Sequence, residues 1–272
     1  MNRIFVLGNG ESRRCINLKH LHQYGKMYGC NAIYRDYPDI DLLVSVDENM
    51  ISELVREKVY TKTQVCVRKP SKNNGRSKKR GGRGKVPSLH PFLFNIEKML
   101  PKDRGMMSGG VALELAAIEL ERLGGGEIFL LGFDVFGHVD SQTGKHAVNN
   151  IYKGTPNYTS PDSAPVTTVR WCPMTYTVIE EHPSIKFYKM NGPGVCIPSE
   201  WLPLPHNLKI ITPKQMQDYI LSGKYDSSEN PQIVVRQAMS PLELASAKLK
   251  FRPELSKRGP IAEQQKPKTN VT

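Results

Sequence analysis

The chain lacks what would place it in several common classes. Its five cysteines, Cys15, Cys30, Cys66, Cys172 and Cys196, are odd in number and scattered, with no Cys-x-x-Cys pair. Neither a disulfide framework nor a zinc site is indicated, and a reducing compartment fits best. No apolar run approaches the roughly 20 residues of a membrane span, and Met1 leads directly into the apolar run Arg3 to Leu7 rather than into a signal-peptide pattern. A cytoplasmic protein without a membrane span is expected. The glycine turn after that run lacks the third glycine of a dinucleotide fingerprint, because Arg13 stands there, which argues against a Rossmann dehydrogenase. Carboxylates are absent from residues 68–85, where nine Lys/Arg stand: Arg68, Lys69, Lys72, Arg76, Lys78, Lys79, Arg80, Arg83 and Lys85.

What is present suffices for a packed globule. The 272 residues are 39% hydrophobic, enough to fill the core of one large domain or two small ones. The formal charge of +12 would ordinarily suggest a polyanionic partner. Its placement says otherwise for most of the chain. The tail from Lys248 onward adds seven Lys/Arg against Glu254 and Glu263, so removing nine and a net five charges leaves about −2 for the body.

Apolar runs at Arg3 to Leu7, Leu42 to Val46, Tyr60 to Val67, Glu127 to Phe133 and Ser184 to Met190 read as buried strands. Helical patterns follow at Met50 to Lys58, Gly110 to Leu123 and Trp171 to Glu181. Ser12 and Ser108 suit N-caps, and Gly124-Gly125-Gly126 a helix end. Alternating strands and helices predict an α/β, Rossmann-like fold: a mostly parallel sheet with helices on both faces. One main domain is expected over 1–222, with a basic loop insertion at 68–86. Residues 223–272 read as an extended, basic tail with a short helix candidate near Leu242 to Leu249.

Open parallel sheets bind ligands at the carboxyl ends of their strands, so three strand-end motifs are candidate site residues. Gly8-Asn9-Gly10-Glu11-Ser12 offers close backbone approach and free amides for an anion, or forms a tight turn with no ligand. Ser108-Gly109-Gly110 repeats the anion logic at a helix start, or simply caps the helix. Gly132-Phe133-Asp134 presents a carboxylate to a ribose or sugar hydroxyl, or to its own turn. His138 and His146 lie in the following loop, where imidazole suits a general base, or where they are merely solvated. Asp39-Ile40-Asp41 has the spelling of a metal-binding pair but precedes its strand, so it reads as a surface turn, and no required metal is expected.

The order of these motifs resembles the bacterial lipooligosaccharide sialyltransferases, which use a CMP-linked sugar donor. The resemblance covers about residues 1 to 205 and is carried by Gly8-Asn9-Gly10-Glu11-Ser12, Cys30-Asn31, Ser108-Gly109 with its helix, Gly132-Phe133-Asp134 and the strand ending Ile185-Lys186-Phe187-Tyr188. It implies a nucleotide-sugar donor held by Asn9, Gly10, Asn31, Ser108 and Gly109, with Gly8, Ser12 and Asp134 beside them, and inverting sugar transfer to an acceptor hydroxyl without a metal. Two departures stand out. Phe136 occupies the first of the family's two leaving-group tyrosine positions, so Tyr152 or Tyr158 would substitute. Thr167 falls near the place of the family's catalytic histidine, which leaves His138 or His146 for that role. A looser resemblance, in Gly29 to Asp36, is to proteins encoded by tailed bacteriophages, and implies a host cytoplasm or a virion.

The alternative function is a catalytically inactive protein of this fold, acting as a virion-associated or nucleic-acid-binding component. Residues 68–85 contain no aromatic residue, so they offer phosphate contacts without a stacking platform. Any binding of nucleic acid through them would be salt-sensitive and weak in sequence preference, and a solvated loop is the other reading.

Overall fold

A computed structural model describes residues 2–69, 91–101, 104–134, 137–139, 146–147, 149–158, 160, 171–229, 231 and 233–236. Most of the basic insertion, the helix candidate near Leu242, Phe136 and Thr167 lie outside the described residues.

The strands are β1 (Arg3–Leu7), β2 (Lys26–Cys30), β3 (Leu42–Ser45), β4 (Gln64–Val67), β5 (Leu93–Asn95), β6 (Gly126–Leu131), β7 (His138–Val139), β8 (His146–Ala147), β9 (Ile185–Met190), β10 (Cys196–Pro198), β11 (Leu208–Ile211) and β12 (Val234–Arg236). The helices are α1 (Leu18–Leu21), α2 (Glu48–Arg56), α3 (Ile96–Met99), α4 (Ser108–Arg122), α5 (Trp171–Glu181) and α6 (Pro213–Ser222). Eight strands form one sheet in the order β11-β9-β6-β1-β2-β3-β4-β5, and every pairing in it is parallel. The α/β, Rossmann-like expectation therefore holds.

Successive residues of a strand point to opposite faces, and here both faces are apolar, which is why the strands read as unbroken hydrophobic runs. Ile4, Val6, Val44, Ile128, Leu130 and Phe187 pack with α3, α4 and α5 on one face. Phe5, Leu7, Leu43, Phe129, Leu131 and Tyr188 pack with α1, α2 and α6 on the other. The chain winds outward from β1 to β5, then returns to the far side of β1 with β6 and continues to β9 and β11. The switch in winding direction thus falls between β1 and β6, where their carboxyl ends face a common edge.

Several local expectations are corrected. Ser108 does not cap α4: it is the first helical residue, and the N-cap is Met107, which makes no side-chain cap bond. Its hydroxyl is occupied instead by the ends of β2 and β3. Ser12 is no N-cap either, because Gly10 precedes a 3₁₀ turn over Glu11–Cys15 and the Ser12 hydroxyl donates to Asp134. The strand expected from Tyr60 begins only at Gln64, since Val59–Thr61 forms a 3₁₀ turn. Helix α6 carries a full capping box, Thr212 with Gln215, and Pro213 at its start. The buried Gln215 amide also donates to the carbonyls of Asp226 and Glu229, and β12 pairs with β10, so residues beyond 222 continue to pack on this unit.

Glu53 of α2 is buried and ties the helix to the turn after β2. It accepts from Tyr34 at 2.5 Å, Arg35 at 2.5 Å and Asn157 at 2.6 Å. Burial alone would raise its pKa, but these donors outweigh it and hold the carboxyl below the usual glutamate value. A depressed carboxylate contributes stability above its unfolded pKa and loses it as pH falls through the folded value. Glu53→Gln is expected to cost about 2 kcal/mol at neutral pH, the size of a charge-assisted bond. The difference should shrink below about pH 4.5, as denaturation curves of both proteins across that range will show.

Candidate functional site

At the switch point the glycines serve the approach of two loops to each other. The Gly8 amide donates to the Leu131 carbonyl and the Gly10 amide to the Gly132 carbonyl, both at 2.8 Å. A Cβ on Gly8 would lie 2.3 Å from the Gly132 carbonyl oxygen, and one on Gly10 would lie 2.3 Å from Oδ2 of Asp134. Asp134, 4% exposed, accepts from the Ser12 amide at 2.9 Å, the Ser12 hydroxyl at 2.5 Å and the Asn149 side chain at 2.6 Å. Gly8, Gly10, Ser12 and Asp134 are thus brought together, as a fastener between β1 and β6. Arg13, in the missing-glycine position, is buried and donates from Nε to the Gly8 carbonyl at 2.8 Å.

The neighbouring part of the edge, over β2, β3 and α4, is built differently. Asn31 follows β2 with φ at 54°, a left-handed conformation that asparagine tolerates better than most residues. Its Oδ1 accepts from the Ser108 hydroxyl at 2.8 Å and the Ser45 hydroxyl at 3.1 Å, and its side chain also hydrogen-bonds the Asp47 carboxyl. Ser108 Oγ accepts from the Val46 amide at 3.1 Å. Asn31 and Ser108, far apart in sequence, therefore meet.

Helix α4 starts here, and its first intrahelical bond is Val111 to Met107. The amides of Ser108, Gly109 and Gly110 precede that bond, at the positive end of a helix of 15 residues. A Cβ on Gly109 would meet Phe133 at 3.7 Å and Cys30 Sγ at 3.9 Å, ordinary contacts. Packing does not demand glycine there, and Gly109 is partly exposed between the buried Ser108 and Gly110. Asp47 stands at the rim, with its carboxyl raised by desolvation against the opposing pull of the Arg68 guanidinium and Asn31. Arg68 is anchored by a bond to the Met106 carbonyl at 2.9 Å.

Between the two regions, the Asn9 amide donates to the Tyr158 hydroxyl at 2.8 Å, while its Oδ1 is buried without a hydrogen-bond partner among the described residues. The Ala32 amide reaches the same hydroxyl at 3.3 Å. Tyr152 is committed more fully: its hydroxyl donates to Asp36 at 2.7 Å and accepts from Arg13 at 2.8 Å. Burial raises the pKa of both phenols. His138 and His146 lie on the two-stranded β7-β8 hairpin, where His138 pairs with Ala147 and Val139 with His146. The hairpin joins the edge through its base, since the Gly137 amide donates to the Asp134 carbonyl at 2.9 Å.

Asp41 lies at the opposite edge of the sheet, at the start of β3, and accepts from the Met27 amide at 2.7 Å. Among the described residues no group of three or more His, Cys, Asp or Glu gathers as a metal site, and no helix is long and apolar enough to cross a membrane. Two surface depressions lie away from the carboxyl edge, one around Arg3, Tyr24 and Glu119 and one beside Asp218 and Tyr225.

Sequence reading missed Ser45, Asn149 and Lys189. Ser45 and Lys189 carry a signal: each is a polar residue inside an otherwise buried strand, at 0% exposure. Compared with known protein families, curated proteins and solved structures, the chain matches no family model, no curated protein and no solved structure.

Proposed function

We propose that the carboxyl edge around Asn9, Asn31, Ser108 and Gly109 binds a nucleotide sugar of the CMP-linked type. The protein would transfer the sugar to an acceptor hydroxyl with inversion and without a metal, as the resemblance to bacterial lipooligosaccharide sialyltransferases implies. One observation carries the reading: Asn31, in a left-handed conformation, joins the ends of β2 and β3 to the start of α4, where Gly109 is partly exposed. Helix starts favour phosphate, and the buried Oδ1 of Asn9, without a partner among the described residues, offers an acceptor to a ligand donor. His138 or His146 would take the acceptor proton.

Two variants test the site. Asn31→Gly keeps the left-handed backbone, whereas Asn31→Ala would add about 1 kcal/mol or more of backbone strain. Its loss of one or two hydrogen bonds should weaken nucleotide binding about tenfold. Gly109→Ala places a methyl group that the neighbours accommodate, so stability should hold or rise by roughly 0.5–1 kcal/mol while nucleotide affinity falls. Titration calorimetry with CMP, CDP, UDP, GDP and their sugars reads both. No binding of any of them at millimolar concentration, or unchanged affinity in both variants, would overturn the proposal.

A second reading, binding without turnover, is favoured by Tyr152. The Tyr152 hydroxyl donates to Asp36 and accepts from Arg13, so its proton is committed and does not serve a leaving phosphate, while that of Tyr158 accepts from Asn9 and the Ala32 amide. Release of nucleotide from a bound donor in the presence of acceptor would refute this second reading.

A further inference from the structure

Strand β5 is an edge strand of the eight-stranded sheet among the described residues, and it and the residue before it carry two exposed rings. Phe92 is 65% exposed and Phe94 48% exposed. The ring of Tyr60, from the 3₁₀ turn at Val59–Thr61, stacks on Phe92 with centroids 5.9 Å apart and planes 10° from parallel. Lys58 and Lys62, both exposed, bracket that turn, Lys58 in a left-handed conformation with φ at 52°. The exposed Arg56 lies just before, paired with Glu57 at 3.0 Å. Lys98 is exposed on α3, which follows β5 directly.

We propose that this edge is a binding surface for single-stranded nucleic acid, with bases stacking on Phe92 and Phe94 and phosphates meeting Lys58 and Lys62. Three considerations favour this partner. Exposed rings side by side with lysines form the stacking-plus-cation surface that unpaired bases recognise, and a duplex does not present base faces to it. Lysines beside an edge strand disfavour addition of a peptide strand. The net positive charge of the chain is also concentrated in sequence next to this strand, in the nine Lys/Arg of residues 68–85, while the body is near neutral. Sequence reading found no aromatic residue among those basic residues. Folding supplies the rings from the flanks, Tyr60 before the run and Phe92 and Phe94 after it.

Fluorescence anisotropy with labelled oligo-dT, oligo-U and a hairpin duplex, over a range of salt, tests the proposal on the full chain. The single strands should bind more tightly than the duplex. Phe92→Leu with Phe94→Leu keeps apolar volume but removes the ring faces. It should weaken single-strand binding at least about thirtyfold, since two stacked bases are lost at about 1–3 kcal/mol each. Lys58→Gln with Lys62→Gln should reduce the salt slope on single strands by about 1.4. Circular dichroism checks that both variants fold, and if the phenylalanine variant does not, the lysine variant decides through its slope. The proposal is overturned if no single strand binds at low salt or if the duplex binds as tightly. It also fails if the folded phenylalanine variant binds unchanged, or if the lysine variant keeps the full slope.

Discussion

Gly8→Ala is expected to lower the stability of the protein by more than about 4 kcal/mol, and Gly10→Ala by about 2–4 kcal/mol. The new methyl at position 8 would stand 2.3 Å from the Gly132 carbonyl oxygen and 2.9 Å from its carbon, both backbone atoms of the neighbouring loop. No side-chain rotation relieves that contact. The ends of β1 and β6 would have to part, which breaks the bonds from Gly8 to Leu131 and Gly10 to Gly132 and disturbs the buried bond from Arg13 to the Gly8 carbonyl. Each such bond contributes about 1 kcal/mol, and the forced repacking adds about 1–3 kcal/mol. Against a total stability of about 5–15 kcal/mol, this is a large fraction.

At Gly10 the nearest atoms are Oδ2 and Cγ of Asp134, at 2.3 and 2.4 Å, followed by the Gly132 carbonyl oxygen at 2.6 Å. A Gly10→Ala, Asp134→Ala double variant removes the first two contacts and not the third, so it should not recover the original stability. Urea denaturation measures all three proteins. A Gly8→Ala protein within about 1 kcal/mol of the original would mean that the two loops do not pack in this way.

The same residues show how much could be read without coordinates. The central strands β1, β3, β6 and β9 and the helix α4 are long enough, and apolar enough on both faces, to announce themselves as buried. Their alternation with helices gave the parallel sheet. The short or mixed elements did not show. In β2 the run Lys26 to Cys30 is broken by Gly29, which is required because a Cβ there would stand 2.6 Å from Ile33, and β5 has only three residues. β11 and α6 also went unread, although Thr212, Pro213 and Gln215 spell a capped helix start.

In the site, the strand before Asn31 went unread, so its place beside Ser108 was implied by the resemblance alone. The resemblance could not say what each hydroxyl would do. Ser12 and Ser108 look like caps because caps are local, whereas their actual partners, Asp134 and the Val46 amide, are distant in sequence. Nor does sequence show that a glycine turn with the spelling of a ligand loop is closed by the loop after the adjacent strand.

Lys189→Met is expected to stabilise the protein at neutral pH, by about 1–2 kcal/mol, although it removes a side chain from the middle of the sheet. Lys189 lies on β9 with no exposure, and its ammonium donates to Asn191. Burial lowers its pKa from the usual 10.5 to about 8, and the negative charge of Asp134 offsets only part of that effect. The Cys172 thiol is pushed up to about 12 by burial and stays neutral near pH 8.

The sign of the pH dependence follows from the depressed value. Between about pH 8 and pH 10.5 the unfolded chain holds a proton that the folded chain has released, so stability rises with pH across that window. Below pH 8 the full cost is present, about 3 kcal/mol at about 1.4 kcal/mol per pH unit. Methionine has nearly the length of the lysine stem and no charge, so the variant escapes this cost and loses about 1 kcal/mol for the bond to Asn191. The two proteins should therefore differ most at pH 7 and converge or cross near pH 10, as urea denaturation at both values will show. A variant that is less stable at pH 7, with the same pH slope as the original, would mean that Asp134 compensates the buried ammonium fully and that the lysine is a net stabilising residue of β9.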